Sequence, residues 1–336
     1  MEKYRTVIFD IVGYCNARCP YCQSGIYKKP GKTIIEPKLF EKAIDKLSTG
    51  IIARDAIFNL FMWGEPFLHP ELDEILTILN NYGYKYCFST NASRVPAIDK
   101  NFVRNLHSII FSMSGFSQTS YNKIHGLKFD LVLNNIKKIV DECRNLGFKG
   151  DFNIAYHVYQ FNLHEIAECE EFANRWKIKF NASYGFINNW QHMHAYLDNT
   201  LPYEMIKKIG QDLLIFDFSQ KMAEAPSNYR CPQYDLLVLD EMANLMICCQ
   251  TPSEEEFVCG NLLHDDFTDI IAKRENNEIC DECLKSGLAF AINNCLSMPF
   301  FYKRSIKQKL ILYKSMISKG IREPQKVWKR MVNNLL

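Results

Sequence analysis

The chain has 336 residues, of which 47% are hydrophobic and 23% charged, and its formal net charge is +2. This composition excludes a disordered chain and a collagen, and no apolar run approaches the ~20 residues of a membrane-spanning helix. The first residues, MEKYRTVIFD, contain no apolar signal-peptide stretch. We therefore expect a cytoplasmic protein with a sizeable core.

Short β-branched or aromatic runs alternate with longer amphipathic runs through the first two thirds of the chain. The runs typical of strands are 6–12, 56–63, 85–90, 108–113, 151–159 and 178–184. The runs with helical spacing are 37–47, 71–82, 97–106, 130–146, 164–176 and 203–215. Alternation of this kind predicts parallel strands connected by helices.

The predicted fold class is α/β, a partial (β/α)6 TIM-like barrel over residues 1–225. The strands read as too apolar for a sheet with one face in water, which favours parallel strands covered by helices. Six units fall short of the eight that close a complete barrel. Functional residues are then expected at the C-terminal ends of the strands.

The pattern changes near residue 226. Apolar runs at 236–239 and 245–249 flank a turn-like segment and predict a hairpin, which is followed by a short helix at about 264–273 and a Cys-rich loop. We expect a small Cys-rich domain at 226–298. A basic amphipathic helical tail is expected at 299–336.

Thirteen cysteines are unusual for a reducing compartment and point to metal or redox chemistry. Cys15, Cys19 and Cys22 directly follow the first predicted strand. Three closely spaced thiolates suit a four-iron cluster that leaves one iron without a protein ligand, and an open site is what catalysis requires. A structural zinc loop or a set of buried thiols are the alternatives.

The segment GYCNARCPYCQSG resembles the signature of radical S-adenosylmethionine (SAM) enzymes, including Tyr21, which in that family packs against the adenine. The segment 62–66, MWGEP, resembles the family's Gly-Gly-Glu-Pro motif, with Trp63 in place of the first Gly. In the family that backbone, here at Gly64, and the acid, here Glu65, hold the amino group of SAM.

Three further strand ends extend the resemblance, which covers roughly residues 5–190. Ser89-Thr90-Asn91 resembles Thr-Asn-Gly, whose polar groups meet the ribose or the carboxylate of SAM. Ser112-Met113-Ser114-Gly115 resembles Ser-Ile-Asp-Gly, with Ser114 in place of the acid, and Asn162 follows the fifth strand where the family often has Asn. The resemblance implies a [4Fe-4S] cluster on Cys15, Cys19 and Cys22. It also implies an electron donor such as flavodoxin or ferredoxin. The residues that it implies for SAM binding are Tyr21, Gly64, Glu65, Ser89, Asn91 and Ser112.

A second group of cysteines resembles the SPASM or twitch extension of radical SAM enzymes: Cys231, Cys248, Cys249, Cys280 and Cys283. The cysteines that remain downstream are too few for a full SPASM module, so the resemblance implies the twitch form with one auxiliary [4Fe-4S] cluster and four ligands. Strand alternation lets only one of Cys248 and Cys249 ligate. The family hairpin usually has Gly five residues before the ligand. Asn244 tolerates that left-handed position better than Ala243, which favours Cys249. A structural zinc site is the alternative.

Other chemistry-bearing residues have weaker signals. Cys87, Cys143, Cys169 and Cys259 lie in apolar patterns and are expected to be buried, although a hydrogen-atom donor role is the alternative for Cys87. His192 and His194 follow the sixth strand in an expected substrate-facing loop. They could transfer protons or bind a hydroxylated substrate, or simply be solvated.

From residue 300 onward the chain has ten basic residues and one acid, a charge of +9, so the remainder carries −7. This tail could contact an anionic membrane or hold a phosphorylated or lipid-linked substrate, or be an ordinary helix with a solvated basic face. No nucleic-acid partner is expected. The resemblance implies hydrogen abstraction from a substrate, with a sugar, nucleotide sugar or aminocyclitol as the leading class. Peptide or protein modification and a non-enzymatic Fe–S or zinc-binding role are the alternatives.

Overall fold

A computed structural model gives the fold over residues 3–26, 33–188, 190–214 and 219–295. Within these ranges nine strands form one sheet in the order β6-β5-β4-β3-β2-β1-β7-β8-β9. The strands are β1 (Tyr4–Phe9), β2 (Ile52–Asn59), β3 (Lys85–Thr90), β4 (Leu106–Met113), β5 (Asp151–Val158), β6 (Lys179–Tyr184), β7 (Leu236–Leu239), β8 (Asn244–Met246) and β9 (Val258–Asn261).

The helices of the described ranges mostly connect successive strands. They are α1 (Gln23–Ile26), α2 (Pro37–Ser48), α3 (Leu72–Tyr82), α4 (Lys100–Val103), α5 (Gln118–Ile124), α6 (Phe129–Asn145), α7 (Ile166–Arg175), α8 (Trp190–Leu197), α9 (Tyr203–Asp212), α10 (Ser219–Ala223), α11 (Phe267–Glu275), α12 (Glu278–Lys285) and α13 (Leu288–Cys295). No helix of the described ranges is long and apolar enough to cross a membrane.

The six strands β1 to β6 are parallel and stand side by side in chain order, which confirms the predicted α/β fold of the partial-barrel type. Because each crossover runs in the same direction and such crossovers are right-handed, the connecting helices lie on one face of the sheet. On β4 the side chains alternate: Ile109, Phe111 and Met113 are fully buried, whereas Ser112 is half-buried. The face opposite the helices is therefore mixed, with the half-buried Ile110 beside Ser112.

The predicted bounds differ from the structure where buried residues continue beyond a strand. β1 ends at Phe9 and β2 at Asn59, although residues 10–12 and the apolar Leu60 are also buried. Ile11, Val12 and Leu60 pack into the core from loops, so apolar character alone does not show where strand pairing stops. The helix predicted at 97–106 is only α4, because Asp99 caps its first turn and β4 already begins at Leu106.

Residues after 226 continue the same sheet. β7 pairs in parallel with β1, from Thr6 opposite Leu236 to Phe9 opposite Leu239, and β8 and β9 then add antiparallel strands. The predicted hairpin is confirmed, but its second strand ends at Met246, and the predicted Cys-rich loop contains α12. The predicted tail at 299–336 lies outside the described residues.

Candidate functional site

The first three cysteines lie in the loop between β1 and α1. The backbone N–H of Cys22 donates to the carbonyl of Cys19 at 3.2 Å, and α1 begins at the next residue. Gly25 packs directly on this turn, since a Cβ there would lie 2.0 Å from the carbonyl oxygen of Cys19. The loop is therefore tightly wound, and its three thiols are half-buried.

The chemistry of this donor set fits a metal cluster. Burial, together with repulsion from Glu65, raises the pKa of Cys15 to about 12. Burial, together with repulsion from the ionised sulfurs of Cys22 and Cys15, raises the pKa of Cys19 well above its ordinary value. Burial also raises the pKa of Cys22. These thiols are therefore protonated in the metal-free protein. Metal coordination deprotonates a thiol outright and compensates its charge.

Asn91, at the end of β3, contacts the cysteine loop. Its Nδ2 donates to Cys15 Sγ at 3.5 Å and to Asn16 Oδ1 at 2.9 Å. The backbone N–H of Ala17 also donates to Cys15 Sγ, at 3.4 Å. One predicted SAM-binding residue is thus joined directly to one predicted cluster ligand.

Glu65 is buried and ties the end of β2 to the end of β3. Its Oε1 accepts from Thr90 Oγ1 at 2.6 Å, and its Oε2 accepts from the backbone N–H of Asn91 at 2.7 Å. A further bond comes from the N–H of Phe67. Burial raises the pKa of Glu65 to about 7, although these hydrogen bonds oppose the shift. The carboxylate is engaged with the protein on both oxygens.

Asp10 belongs to the surroundings of this site, and the sequence-based predictions did not include it. This buried carboxylate at the end of β1 accepts the backbone N–H groups of Met62, Trp63 and Gly64 at 3.2, 2.9 and 3.1 Å. A Cβ at Gly64 would lie 1.5 Å from the carbonyl oxygen of Val12, so only glycine fits there. The segment resembling Gly-Gly-Glu-Pro is therefore held against the start of the cysteine loop. A charged residue after an apolar strand was the available signal.

Tyr21 is buried beside the last cysteine of the motif. Its hydroxyl donates to Asp212 Oδ2 at 2.7 Å, and its ring stacks on Tyr159 with centroids 6.1 Å apart. Asp212 ends α9, about 190 residues away in sequence, and no local pattern pointed to it. The ring of Tyr21 is thus fixed from two sides.

The end of β4 carries a serine–histidine pair in place of the expected acid. Ser114 Oγ lies 2.6 Å from His125 Nδ1, and Ser112 Oγ lies 3.5 Å from His125 Nε2. Burial lowers the pKa of His125 to about 3, so its imidazole is neutral at physiological pH. Asn162 is fully buried and bonds three backbone groups, at Ser114, His157 and Tyr159.

Several polar residues share the face of the sheet opposite the helices. Asn59, Ser89, Ser112 and His157 are the half-buried residues at or near the C-terminal ends of β2, β3, β4 and β5. Cys87 points to the same face but is only 6% exposed. The predicted burial of Cys143, Cys169 and Cys259 is confirmed.

Four thiols of the second group surround one cavity, together with Trp190 and Tyr234. They are Cys231, Cys248, Cys280 and Cys283. Burial raises the pKa of Cys280 to about 11 and that of Cys283 to about 12. As in the first loop, thiols of this kind fit a metal that takes their protons.

Cys249 does not line this cavity, and its Sγ donates to Gln233 Oε1 at 3.1 Å. The prediction that Asn244 is the left-handed residue of the hairpin, which favoured Cys249, was wrong. Ala243, and not Asn244, has the left-handed conformation, with a φ of 61°, because Asn244 is already the first residue of β8. The chain has also left β8 before Cys248, so strand alternation does not apply to the pair.

His192 and His194 lie on α8, and the loop predicted there was wrong. Burial lowers the pKa of both imidazoles. His194 packs on the ring of Trp190 with centroids 4.1 Å apart, and Trp190 lines the second cavity. His194 thus belongs to the surroundings of the second cysteine group.

Trp63 links the two cysteine groups. Its backbone carbonyl accepts from Ser24 Oγ, two residues after Cys22, and its indole Nε1 donates to the carbonyl of Thr251 at 3.0 Å. Thr251 Oγ1 in turn donates to the carbonyl of Cys248 at 2.8 Å. A residue that departs from the family motif therefore bridges the two sites.

Comparisons with known proteins bear on the family and on the fold. Residues 10–173 match the family model of the radical SAM superfamily. No curated protein matches the sequence. The fold is similar to native anSMEcpe with bound AdoMet, with 13% identity over 97% of this chain and 99% of that one and a TM-score of 0.56. It is also similar to Streptococcus suis SuiB bound to precursor peptide SuiA, with 13% identity, 84% and 67% coverage and a TM-score of 0.56. We conclude that residues 10–173 form a domain of the radical SAM superfamily.

Proposed function

We propose that this protein is a radical SAM enzyme whose [4Fe-4S] cluster is held by Cys15, Cys19 and Cys22. The observation that carries the proposal is the contact of Asn91 with Cys15, which joins the cysteine loop to the strand ends. When bound, the cluster and SAM supply a 5′-deoxyadenosyl radical on reduction, and this radical removes a hydrogen atom from the substrate.

In this proposal Asp10 positions the site, and Glu65 both positions it and holds the amino group of SAM, as the resemblance implies. Asp10 accepts hydrogen bonds from the backbone N–H groups of residues 62–64. These hydrogen bonds orient the backbone at Gly64 toward the ammonium of SAM. Glu65 fixes Thr90 and Asn91. Tyr21 packs on the adenine, and Ser89 and Ser112, both half-buried, meet the ribose or the carboxylate.

We infer an auxiliary [4Fe-4S] cluster on Cys231, Cys248, Cys280 and Cys283. Four thiols around one cavity suit a four-iron cluster, because Cys thiolates hold such clusters. The resemblance of these cysteines to the twitch extension supports the cluster. A zinc ion on the same four thiolates is the alternative, and metal analysis separates the two.

The substrate proposal rests on the open face of the sheet. Asn59, Ser89, Ser112 and His157 present amide, hydroxyl and imidazole groups near the strand ends. Short polar groups of this kind suit a small hydroxylated molecule such as a sugar, nucleotide sugar or aminocyclitol, because they can bond its hydroxyl groups. Oxidation, dehydration or epimerisation are the outcomes that we propose, with flavodoxin or ferredoxin as electron donor.

Peptide modification is the second candidate, because solved structures of SuiB and anSMEcpe, which have a similar fold, contain bound peptides. The test is mass spectrometry of the reduced enzyme with SAM and deuterated candidates of both classes. Deuterium should be transferred to 5′-deoxyadenosine when the deuterated substrate is a sugar or an aminocyclitol. Asn59→Ala should reduce that transfer. Transfer from peptides alone would reject the carbohydrate class.

A further inference from the structure

A buried arginine lies beside the second cysteine group. Arg274, in the last turn of α11, is only 2% exposed. The sequence analysis did not single it out, because a basic residue at a helix C-terminus is common and favourable. Its burial is unusual, since arginine is almost never fully buried unless it is paired.

All three hydrogen bonds of the guanidinium go to backbone carbonyls. Nε donates to Ile247 at 3.1 Å, one nitrogen of the fork donates to Leu236 at 2.7 Å, and the other donates to Gln233 at 2.6 Å. Within the described residues no carboxylate lies at ion-pair distance from it. The carbonyl dipoles solvate the cation without neutralising it.

These contacts place the charge among the cysteine ligands. Ile247 directly precedes Cys248, and Gln233 is two residues after Cys231. The guanidinium carbon lies 5.9 Å from the ring centre of Tyr234, and Tyr234 and Cys280 line the same cavity. Arg274 thus contacts groups beside three of the four cysteines around the cavity, which are Cys231, Cys248 and Cys280.

A buried charge without a counter-charge is unfavourable, so a partner of opposite sign is expected. Four thiolates on an iron–sulfur core give a cluster with net negative charge. Its reduction potential depends on nearby charge, hydrogen bonds and solvent exposure. Reduction adds one more negative charge, which a buried cation stabilises because little solvent screens the pair.

Building on the proposed auxiliary cluster, we propose that Arg274 is its counter-charge and raises its reduction potential. Arg274 is a positioning residue as well, because its fork connects the segments before Cys248 and after Cys231. Substitutions that keep the charge but lose the guanidinium fork separate the role of Arg274 as counter-charge from its role in connecting the two segments.

The experiment is a redox titration, followed by EPR, of the full chain with Cys15, Cys19 and Cys22 replaced by Ala, in which only the auxiliary cluster remains. Arg274→Gln should lower the ratio of reduced to oxidised cluster at least tenfold at a fixed potential, which is a shift of about 59 mV to more negative values. Arg274→Lys, which keeps the charge, should stay close to the parent.

Arg230→Gln is the matched control. Arg230 adjoins Cys231, but its side chain is 63% exposed and paired with Asp235 at 2.7 Å. Removing this solvent-screened charge should change the ratio less than twofold. An unchanged potential in Arg274→Gln with full iron content would overturn the proposal.

If Arg274→Gln loses its iron, the lysine variant decides. Retention of iron and of the parent potential in Arg274→Lys supports the counter-charge, whereas loss of iron in both variants rejects it in favour of a purely structural fork. A parent protein that binds zinc or no iron would instead reject the auxiliary cluster itself, which is a separate failure of the proposed function.

Discussion

Replacement of Trp63 by Phe tests the link between the two cysteine groups. The backbone bonds of residue 63 with Asp10 and Ser24 do not depend on its side chain. The substitution therefore removes only the indole and its hydrogen bond to the backbone carbonyl of Thr251. Thr251 is only 1% exposed. The loop that carries Cys248 loses an anchor, while the turn at Gly64 stays in place.

The magnitude follows from two contributions. A buried carbonyl left without a donor costs about 1–3 kcal/mol. The smaller ring also leaves a void, and a void of roughly one or two methylene groups adds ~1–2 kcal/mol. We expect Trp63→Phe to lower the free energy of unfolding of the metal-free protein by about 2–5 kcal/mol, measured by urea denaturation.

Trp176→Phe is the control, because Trp176 follows the last turn of α7, is half-buried and packs on Phe172. Its loss should cost less than ~1.5 kcal/mol. In the reconstituted protein, Trp63→Phe should release the auxiliary iron to a chelator faster than wild type and keep the iron on the first three cysteines. Equal stability of Trp63→Phe and wild type, with unchanged iron release, would refute the bridging role.

Three further predictions concern the ligands and the strand ends. In a background lacking the first three cysteines, Cys248→Ala should lose the remaining iron and Cys249→Ala should keep it, as measured by iron analysis; the opposite result would assign the ligand to Cys249. Asn91→Ala should slow SAM cleavage at least tenfold, because Cys15 and Asn16 both lose its amide, whereas Ser93→Ala, which removes only a bond from Asn16, should have a small effect. Burial raises the pKa of Glu65 to about 7. The contribution of Glu65 to the free energy of unfolding is therefore present at low pH and is lost as the pH rises from about 4.5 to 7. The stability of wild type relative to Glu65→Gln should therefore fall by about 3 kcal/mol over that range in urea titrations, and a pH-independent difference would contradict the buried-carboxylate account.

Sequence reasoning was most successful for the fold. The spacing of Cys15, Cys19 and Cys22 and the polar residues that end β3 are short patterns beside strands with strong periodicity, and their roles stay predictions. The prediction of a parallel barrel-type sheet followed from the alternation of strands and helices, and the same rule placed the candidate residues at one edge.

The parts that sequence reasoning missed depend on contacts between distant segments. Asp10 with residues 62–64, Tyr21 with Asp212 and Trp63 with Thr251 each join segments that lie far apart in the chain. Nothing in the local pattern around these residues identifies the partner.

Backbone conformation was the other source of error. The left-handed residue of the hairpin is Ala243, although intrinsic preference favours Asn at such positions, because the pairing of β8 with β9 starts at Asn244. Tertiary pairing outweighed local preference there. The choice between Cys248 and Cys249 depended on that register.

The central claim is tested most directly by SAM cleavage in the reduced, reconstituted protein under anaerobic conditions. The account predicts that wild type forms 5′-deoxyadenosine and methionine, and that Cys19→Ala abolishes this turnover while it retains the iron of the second cysteine group. Cleavage of SAM by Cys19→Ala at the wild-type rate would contradict the assignment of the cluster to Cys15, Cys19 and Cys22.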